Sequence, residues 1–285
     1  MNRLKTWLKR KLRLTLESRG LWLSRQLNQS EVRYLKRMLL HSSSFSRWNA
    51  ERHKKRLRTH GTPDLRALIM HLDERFSGRE DVVFFDIGAN DGSSSIFYSD
   101  FFPDVKFHLF EAHPEISKIA SQNMSKACRA KNFMVHTFAA SDENGVAQFH
   151  VSAIPRSQDW RSLYSDSSSL LAPKKHLDVI EHVSFGKVIS VETKRLGDLI
   201  QTGFLPKPNF IHMDVQGAEL MVLEGFSEFI RNVECIWLEV EAVELYEGQP
   251  LVDDVRRFMK EKGFELCLDT VGELYGDQLW ARSNC

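Results

Sequence analysis

Apolar positions change period along this chain. Leu4, Trp7, Leu8 and Leu12 recur at helical spacing, with Lys5, Lys9, Arg10 and Arg13 on the other faces, which predicts an amphipathic helix. Ser30 then precedes Glu31 and the apolar positions Tyr34, Leu35, Met38 and Leu39, the pattern of a second, capped helix. Thr62-Pro63-Asp64 reads as an N-cap with proline in the first turn, opening a helix that runs through about Phe76. From Asp81 the pattern becomes short apolar runs alternating with helical stretches. Strands are expected over 82–86, 105–111, 133–139, 210–214 and 235–240, and helices over 93–101, 114–127 and 253–262. Residues 266–269 and 278–281, joined through a glycine-containing turn, suggest a hairpin at the sheet edge. Residues 150–178 interrupt the alternation with serines and two prolines, the mark of an irregular insertion and a candidate substrate loop.

Mostly apolar strands separated by helices predict an α/β fold: a Rossmann-like, mainly parallel sheet covered by helices on both faces. That domain is expected over residues 61–285, with residues 1–60 as a helical extension. Charge sharpens the division. Residues 1–60 hold 17 Lys and Arg against 3 Asp and Glu, a balance of +14, and the remainder holds 22 against 35, or −13. Such a basic arm suits docking on the acidic body or on a second protomer, or lying on an anionic membrane surface. No nucleic-acid motif accompanies it, and basic content alone does not point to nucleic acid. No apolar run approaches the ~20 residues of a membrane span, and the N-terminus lacks the compact apolar stretch of a signal peptide. Cys128, Cys235, Cys267 and Cys285 show no close spacing, which argues against a zinc site or disulfide framework and fits a cytoplasmic location, peripheral to the membrane if the arm lies there.

The chemistry concentrates in the stretch VVFFDIGANDGSSS, residues 82–95. An apolar strand ends at Asp86, and a turn carrying Gly88, Asn90 and Gly92 leads into a helix. Glycine, and asparagine more than most residues, tolerate positive φ, so backbone amides can approach a ligand at the carboxyl end of the first strand. Two cofactors compete for such a turn. A dinucleotide wants GxGxxG with its pyrophosphate on the helix N-terminus. Here the turn reads GANDGS, with Asp86 and Asp91 placed to repel a pyrophosphate and to suit the ammonium and sulfonium of S-adenosylmethionine (SAM). Glu111 closes the second strand about 20 residues on, where an acid accepts from ribose hydroxyls. Each acid taken alone reads equally well as a turn cap or a solvated strand end; together with the turn they favour a cofactor. The missing GxGxxG disfavours an NAD-dependent oxidoreductase, and a silent SAM- or glycan-binding module stays open beside an enzyme.

DIGANDGSSS, then FEAHPE (110–115), AASDENG (139–145), SSSLL (167–171) and IHMDVQGAELMVLEG (211–225), in that order, resemble the FkbM-type methyltransferases over about residues 82–240. The resemblance implies a SAM-dependent O-methyltransferase acting on hydroxyls of sugars, polyketides and related products, with a sugar of a surface glycan or glycolipid leading and a lipid or polyketide hydroxyl as the alternative. It implies that Asp86, Gly88, Ala89, Asn90, Gly92 and Ser93 hold the methionine end of SAM. Glu111, with Ala112, would hold the ribose, and the Ser141-Asp142 corner would lie near the adenine.

Methylating an alcohol at neutral pH calls for a group to accept its proton. Asp214 ends a strand and points into the crevice, which makes it the candidate base. His212, two residues earlier and so on the same strand side, is its candidate partner, where the family often has lysine. Glu239 and Glu241, near the end of the fifth strand, either reach the pocket or are solvated, and Glu239 is carried as a third catalytic candidate. Glu219 reads as a helix first-turn acid as readily as a catalyst. His113, Ser168 and Ser169 are the candidate substrate contacts. No metal-ligand cluster is evident, although Asp214 and neighbouring carboxylates leave a divalent ion open, and Gln216 replaces a glutamate common in the family.

Overall fold

The computed structural model describes residues 65–128, 130, 132–153, 166–180 and 183–282. The basic extension with the helices expected before residue 59, and the cap at residues 62–64, lie outside the described residues.

A helix, α1 (Leu65–Phe76), precedes the expected alternation: β1 (Val83–Ile87), α2 (Ser93–Phe101), β2 (Lys106–Phe110), α3 (Pro114–Ala127) and β3 (Asn132–His136). Proline at the first position of α3 and a His113 side chain that accepts from the Glu115 N–H fix where that helix starts. After a smaller excursion the alternation resumes with α5 (Leu196–Gln201), β7 (Phe210–Met213), α6 (Glu219–Gly225), β8 (Cys235–Glu241) and α7 (Val252–Glu261). It ends on the hairpin of β9 (Phe264–Asp269) and β10 (Tyr275–Arg282).

The strands form one seven-stranded sheet in the order β3-β2-β1-β7-β8-β10-β9. Pairs from β3 to β8 are parallel, whereas β10 runs antiparallel to both β8 and β9, so the expected hairpin closes one edge. Alternation along β1 sorts the core. Phe84, with Phe107 and Phe210 beside it, faces α1 and α2, while Phe85, Ile211 and Ile236 face α5, α6 and α7. Phe84 packs edge-on to Phe210 at 4.8 Å and to Phe76 at 5.4 Å between ring centroids, so α1 is locked onto the sheet by aromatic contacts. Helices on both faces make this a Rossmann-like α/β fold.

One part of the fold differs from the expectation. The third strand stops at His136, and Ala139–Ala140 (β4) joins a separate three-stranded sheet with β5 (Gly145–Ala153) and β6 (Ser184–Lys194), in the order β4-β6-β5. Nine residues of β5 pair antiparallel with β6, from Gly145↔Thr193 to Ala153↔Ser184. The insertion expected over 150–178 thus begins inside a strand. Its described part is a strip (166–173) bridged to β5 at His150↔Ser169 and followed by a short helix, α4 (His176–Val179).

Topology alone places a crevice. The chain leaves β1 toward β2 and β3 on one side and returns to β7 and β8 on the other, so the sheet order reverses between β1 and β7. Ligands of open α/β sheets bind beyond the carboxyl ends of the strands at such a point.

Candidate active site

Beyond the ends of β1 and β7 lies a crevice open to solvent, with about 670 Å³ of space between its walls and mouth. Gly88, Asn90, Glu111 and Ala112 line one part, and His113, Asp166, Ser168 and Asp214 line the remainder together with Phe138, Ala139, Ala140 and Phe149 from the small sheet and its approach. The small sheet therefore supplies a wall that the strand-and-helix pattern did not anticipate.

The glycine turn is built as its sequence requires. Gly88, Asn90 and Gly92 all adopt positive φ. The amides of Gly88 and Ala89 both donate to the Phe110 carbonyl, which ties the turn to β2. Asp91 accepts from the amide and hydroxyl of Ser93, so it fixes the start of α2, and Ala89, Gly92 and Ser93 do not line the cavity. The Asn90 amide donates to Glu111 Oε2 at 2.9 Å and the His113 amide to Oε1 at 2.8 Å. Glu111 is buried, and burial pushes its carboxyl up to about 7 against the opposing pull of those amides.

Asp86 and His212 sit elsewhere than expected. Asp86 shares a strand face with Phe84 and so points under α2, where it accepts from Ser95 Oγ at 2.6 Å and pairs with His212 Nδ1 at 2.9 Å. His212 is buried edge-on against Tyr98. Neither residue lines the cavity. The two-residue alternation that put His212 beside Asp214 holds only within a strand, and β7 stops at Met213. Asp214 already belongs to the following turn, which carries it into the cavity while His212 stays beneath the sheet face.

That turn gathers carboxylates from two elements. Gln216, at φ 56°, donates through Nε2 to Asp214 Oδ1 and to Glu239 Oε2, both at 2.7 Å. Glu239 thus reaches Asp214 through an amide without lining the cavity itself. Glu219 accepts from the amides of Val215 and Gly217 at the start of α6, the structural reading of that residue. Burial, reinforced by Asp214, raises its carboxyl to about 7, and burial with Glu219, Glu239 and Asp214 around it raises Glu241 well above the carboxylate range. Among the described residues no group of His, Cys, Asp and Glu is arranged to hold a metal ion.

Of the expected substrate contacts, His113 and Ser168 line the cavity. Ser169 faces away, its hydroxyl donating to the Gln216 carbonyl at 2.7 Å. The Ser141-Asp142 corner adjoins Ala140 outside the lining and is held from behind by Arg195 Nη1 on the Asp142 carbonyl at 3.0 Å. Sequence reasoning missed Tyr246, whose hydroxyl bonds both the Ser167 carbonyl and Gln216 Oε1. Nothing local marks that tyrosine. Phe149 carried a readable signal, since apolar residues alternate through Ala147, Phe149 and Val151.

A left-handed turn at the sheet switch point, a buried acid beyond β2 and a cavity spanning both define a nucleotide-cofactor site on a Rossmann-like fold. The model of the methyltransferase FkbM domain matches residues 86–266, so this chain belongs to the FkbM methyltransferase family and is a SAM-dependent methyltransferase. It is 37% identical over 172 residues to the 2-O-methyltransferase NoeI of Sinorhizobium fredii, covering 60% of this chain and 68% of that one. It is 24% identical to the hexuronic acid methyltransferase AglP of Haloferax volcanii, covering 57% of each chain. A SAM-dependent methyltransferase structure from Aquifex aeolicus overlaps 77% of this chain and 93% of that one at 13% identity and a TM-score of 0.37, too loosely to add to the sheet order.

The residues present fit SAM. A carboxylate offers about four acceptor positions, and the two amides on Glu111 leave capacity on the cavity side for a pair of ribose hydroxyls. Phe138, Ala139, Ala140 and Ile116 give an apolar wall of the kind a purine requires. Hydroxyl donors favour the ionised carboxylate, so binding draws a proton off Glu111. Below about pH 7 that proton must first be removed, and affinity falls with acidity by at most about tenfold per pH unit. Titration calorimetry with S-adenosylhomocysteine is expected to show binding that tightens from pH 5.5 to 7.5 and then levels. Glu111→Gln should bind more weakly with a flat profile; an equal slope in both proteins would exclude Glu111 as the linked group.

Proposed function

We propose that this methyltransferase transfers the methyl group of SAM to a hydroxyl of a sugar in a glycan or glycolipid, with Asp214 as the base. The observation that carries this reading is one cavity holding both ends of the task. Glu111, Gly88 and Asn90 form the cofactor end, and Asp214, His113, Asp166 and Ser168 form a polar acceptor end that suits a polyhydroxylated molecule. SAM, when bound, supplies an electrophilic methyl on a sulfonium. Asp214 Oδ1 is taken by Gln216, and Oδ2 has no hydrogen-bond partner among the described residues, which leaves it to accept the proton of an incoming hydroxyl as its oxygen gains the methyl. Asp86 and His212, buried together under α2, anchor the end of β1 and take no part in proton transfer.

The names of the relatives agree in kind: one methylates an oxygen, the other acts on a sugar acid. A lipid-linked acceptor would also suit the +14 balance of residues 1–60, which favours an anionic surface.

The test is incubation with methyl-labelled SAM and a panel of neutral glycosides, uronic acids and non-sugar alcohols. Label in a sugar product that resists mild alkali, as an ether does, is the expected result. Label confined to the non-sugar alcohols, or released by alkali as from a carboxyl ester, would overturn the assignment.

A further inference from the structure

Gln216 occupies a position whose chemistry the acceptor reading leaves unused. Its backbone is in the left-handed region at φ 56°, a conformation uncommon for a residue of this type and held here by its neighbours. Gly217 follows at φ 95°, and the Gln216 carbonyl receives the Ser169 hydroxyl. That backbone aims the side chain between two acids. One amide nitrogen carries two protons, and each has an acceptor at 2.7 Å: Asp214 Oδ1 from the end of β7 and Glu239 Oε2 from β8. The amide oxygen lies 2.9 Å from the Tyr246 hydroxyl, whose single proton it shares with the Ser167 carbonyl, so the two acids on the nitrogen side set the amide orientation. Tyr246 stays a phenol, because burial and the surrounding acids disfavour its anion.

We propose that Gln216 is the positioning residue of methyl transfer: it holds the Asp214 and Glu239 side chains together and ties them, through Tyr246 and Ser169, to the strip that carries Ser168 into the cavity. This rests on Asp214 being the base. Two carboxylates this close repel unless donors lie between them, and an amide supplies two without itself titrating. Among the described residues the titratable side chains around the bridge include Asp214, Glu239, Glu219, Glu241 and Tyr246, with the His176 ring 5.4 Å from that of Tyr246, so the two amide protons of Gln216 lie within a mainly acidic cluster and help to offset its repulsion. A glutamate at 216 would turn donor into a third acid. The cluster would then fold readily only with an extra proton bound, and Asp214 would share that proton or swing away.

Two variants separate this role from a packing role. Gln216→Glu keeps the shape and removes the donors. Gln216→Asn keeps the amide and tolerates the left-handed backbone better, but it is one methylene too short to span both acids. S-adenosylhomocysteine affinity should stay within about threefold in both, since Gln216 does not line the cofactor end. In Gln216→Asn, kcat should fall roughly tenfold or more, as expected for losing charge-assisted bonds. In Gln216→Glu the rate relative to wild type should climb as pH falls from 8.5 to 6, and its melting temperature, close to wild type at pH 5, should drop progressively below it as pH rises. The melting comparison needs no acceptor, so it judges the bridge even if wild-type protein methylates no sugar. Melting curves that run parallel at every pH, or variant rates within twofold of wild type with an unmoved pH profile, would overturn the proposal.

Discussion

Asp214→Asn is expected to lower methyl transfer by about a hundredfold to ten-thousandfold, the range supplied by a positioned general base, while leaving S-adenosylhomocysteine binding nearly intact. The substitution is close to isosteric, and its effect is confined to one function. Asparagine keeps an oxygen to accept from Gln216, as Asp214 Oδ1 does at 2.7 Å. Its backbone amide would still donate to the Ile87 carbonyl at 3.0 Å, so the junction of β1 and β7 is preserved. What disappears is a basic oxygen facing the cavity. Asparagine cannot accept a proton at neutral pH, and its amide hydrogens would oppose the donor hydrogen of an approaching hydroxyl. A loss of kcat with little change in cofactor affinity would place Asp214 at the reacting oxygen. A variant within about threefold of wild type would show that alignment of the acceptor carries the rate and would remove Asp214 from the chemistry.

Much of the frame was legible because local and global signals agree. The helices Ser93–Phe101 and Pro114–Ala127 match the sequence expectation, since a glycine turn precedes one and a proline opens the other. The terminal hairpin was readable from its turn, although β10 begins at Tyr275, three residues before the expected start. The small sheet was not read. Its two longer strands, Gly145–Ala153 and Ser184–Lys194, are separated by 30 residues, and the period-two alternation of Ala147, Phe149 and Val151 marks a strand without marking its partner. A pairing between distant segments has no local signature beyond that alternation.

The site divides along the same line. Gly88, Asn90 and Glu111 could be placed because a left-handed turn and a strand-end acid announce themselves in sequence. Asp86 and His212 misled because strand parity says which face a side chain takes and not what lies above it. Both fall on the face covered by α2, where they satisfy one another at 2.9 Å. Glu239 was named without its reason. Its connection to Asp214 runs through Gln216, a residue on another element, and only the register of β7 against β8 brings them together. Gln216 was visible as a departure from a family preference for glutamate, but its meaning lies in the two acids flanking it.

Gly88→Ala should be the most damaging single substitution in the cofactor turn, abolishing S-adenosylhomocysteine binding and lowering the melting temperature by roughly 10 °C. Gly88 has φ 78°, and a Cβ there would lie 1.9 Å from the Asp214 carbonyl oxygen and 2.8 Å from its carbon. Both atoms are backbone, so no side chain can turn aside. The turn is also held from the other flank, where the Gly88 amide donates to the Phe110 carbonyl at 3.0 Å. A methyl group must therefore force the ends of β1 and β7 apart at the switch point, moving Asn90 away from Glu111 and Asp214 away from the acceptor end together. The left-handed backbone contributes about 1 kcal/mol of the cost, and overpacking a further ~1–3 kcal/mol. Gly203→Ala separates the two contributions: φ there is 77°, yet nothing lies within 4 Å of the added Cβ. It should show the backbone penalty alone, a few degrees of melting temperature with cofactor binding unchanged. If Gly88→Ala melts no lower than Gly203→Ala and still binds S-adenosylhomocysteine, the close approach of the two strand ends is not what builds the site.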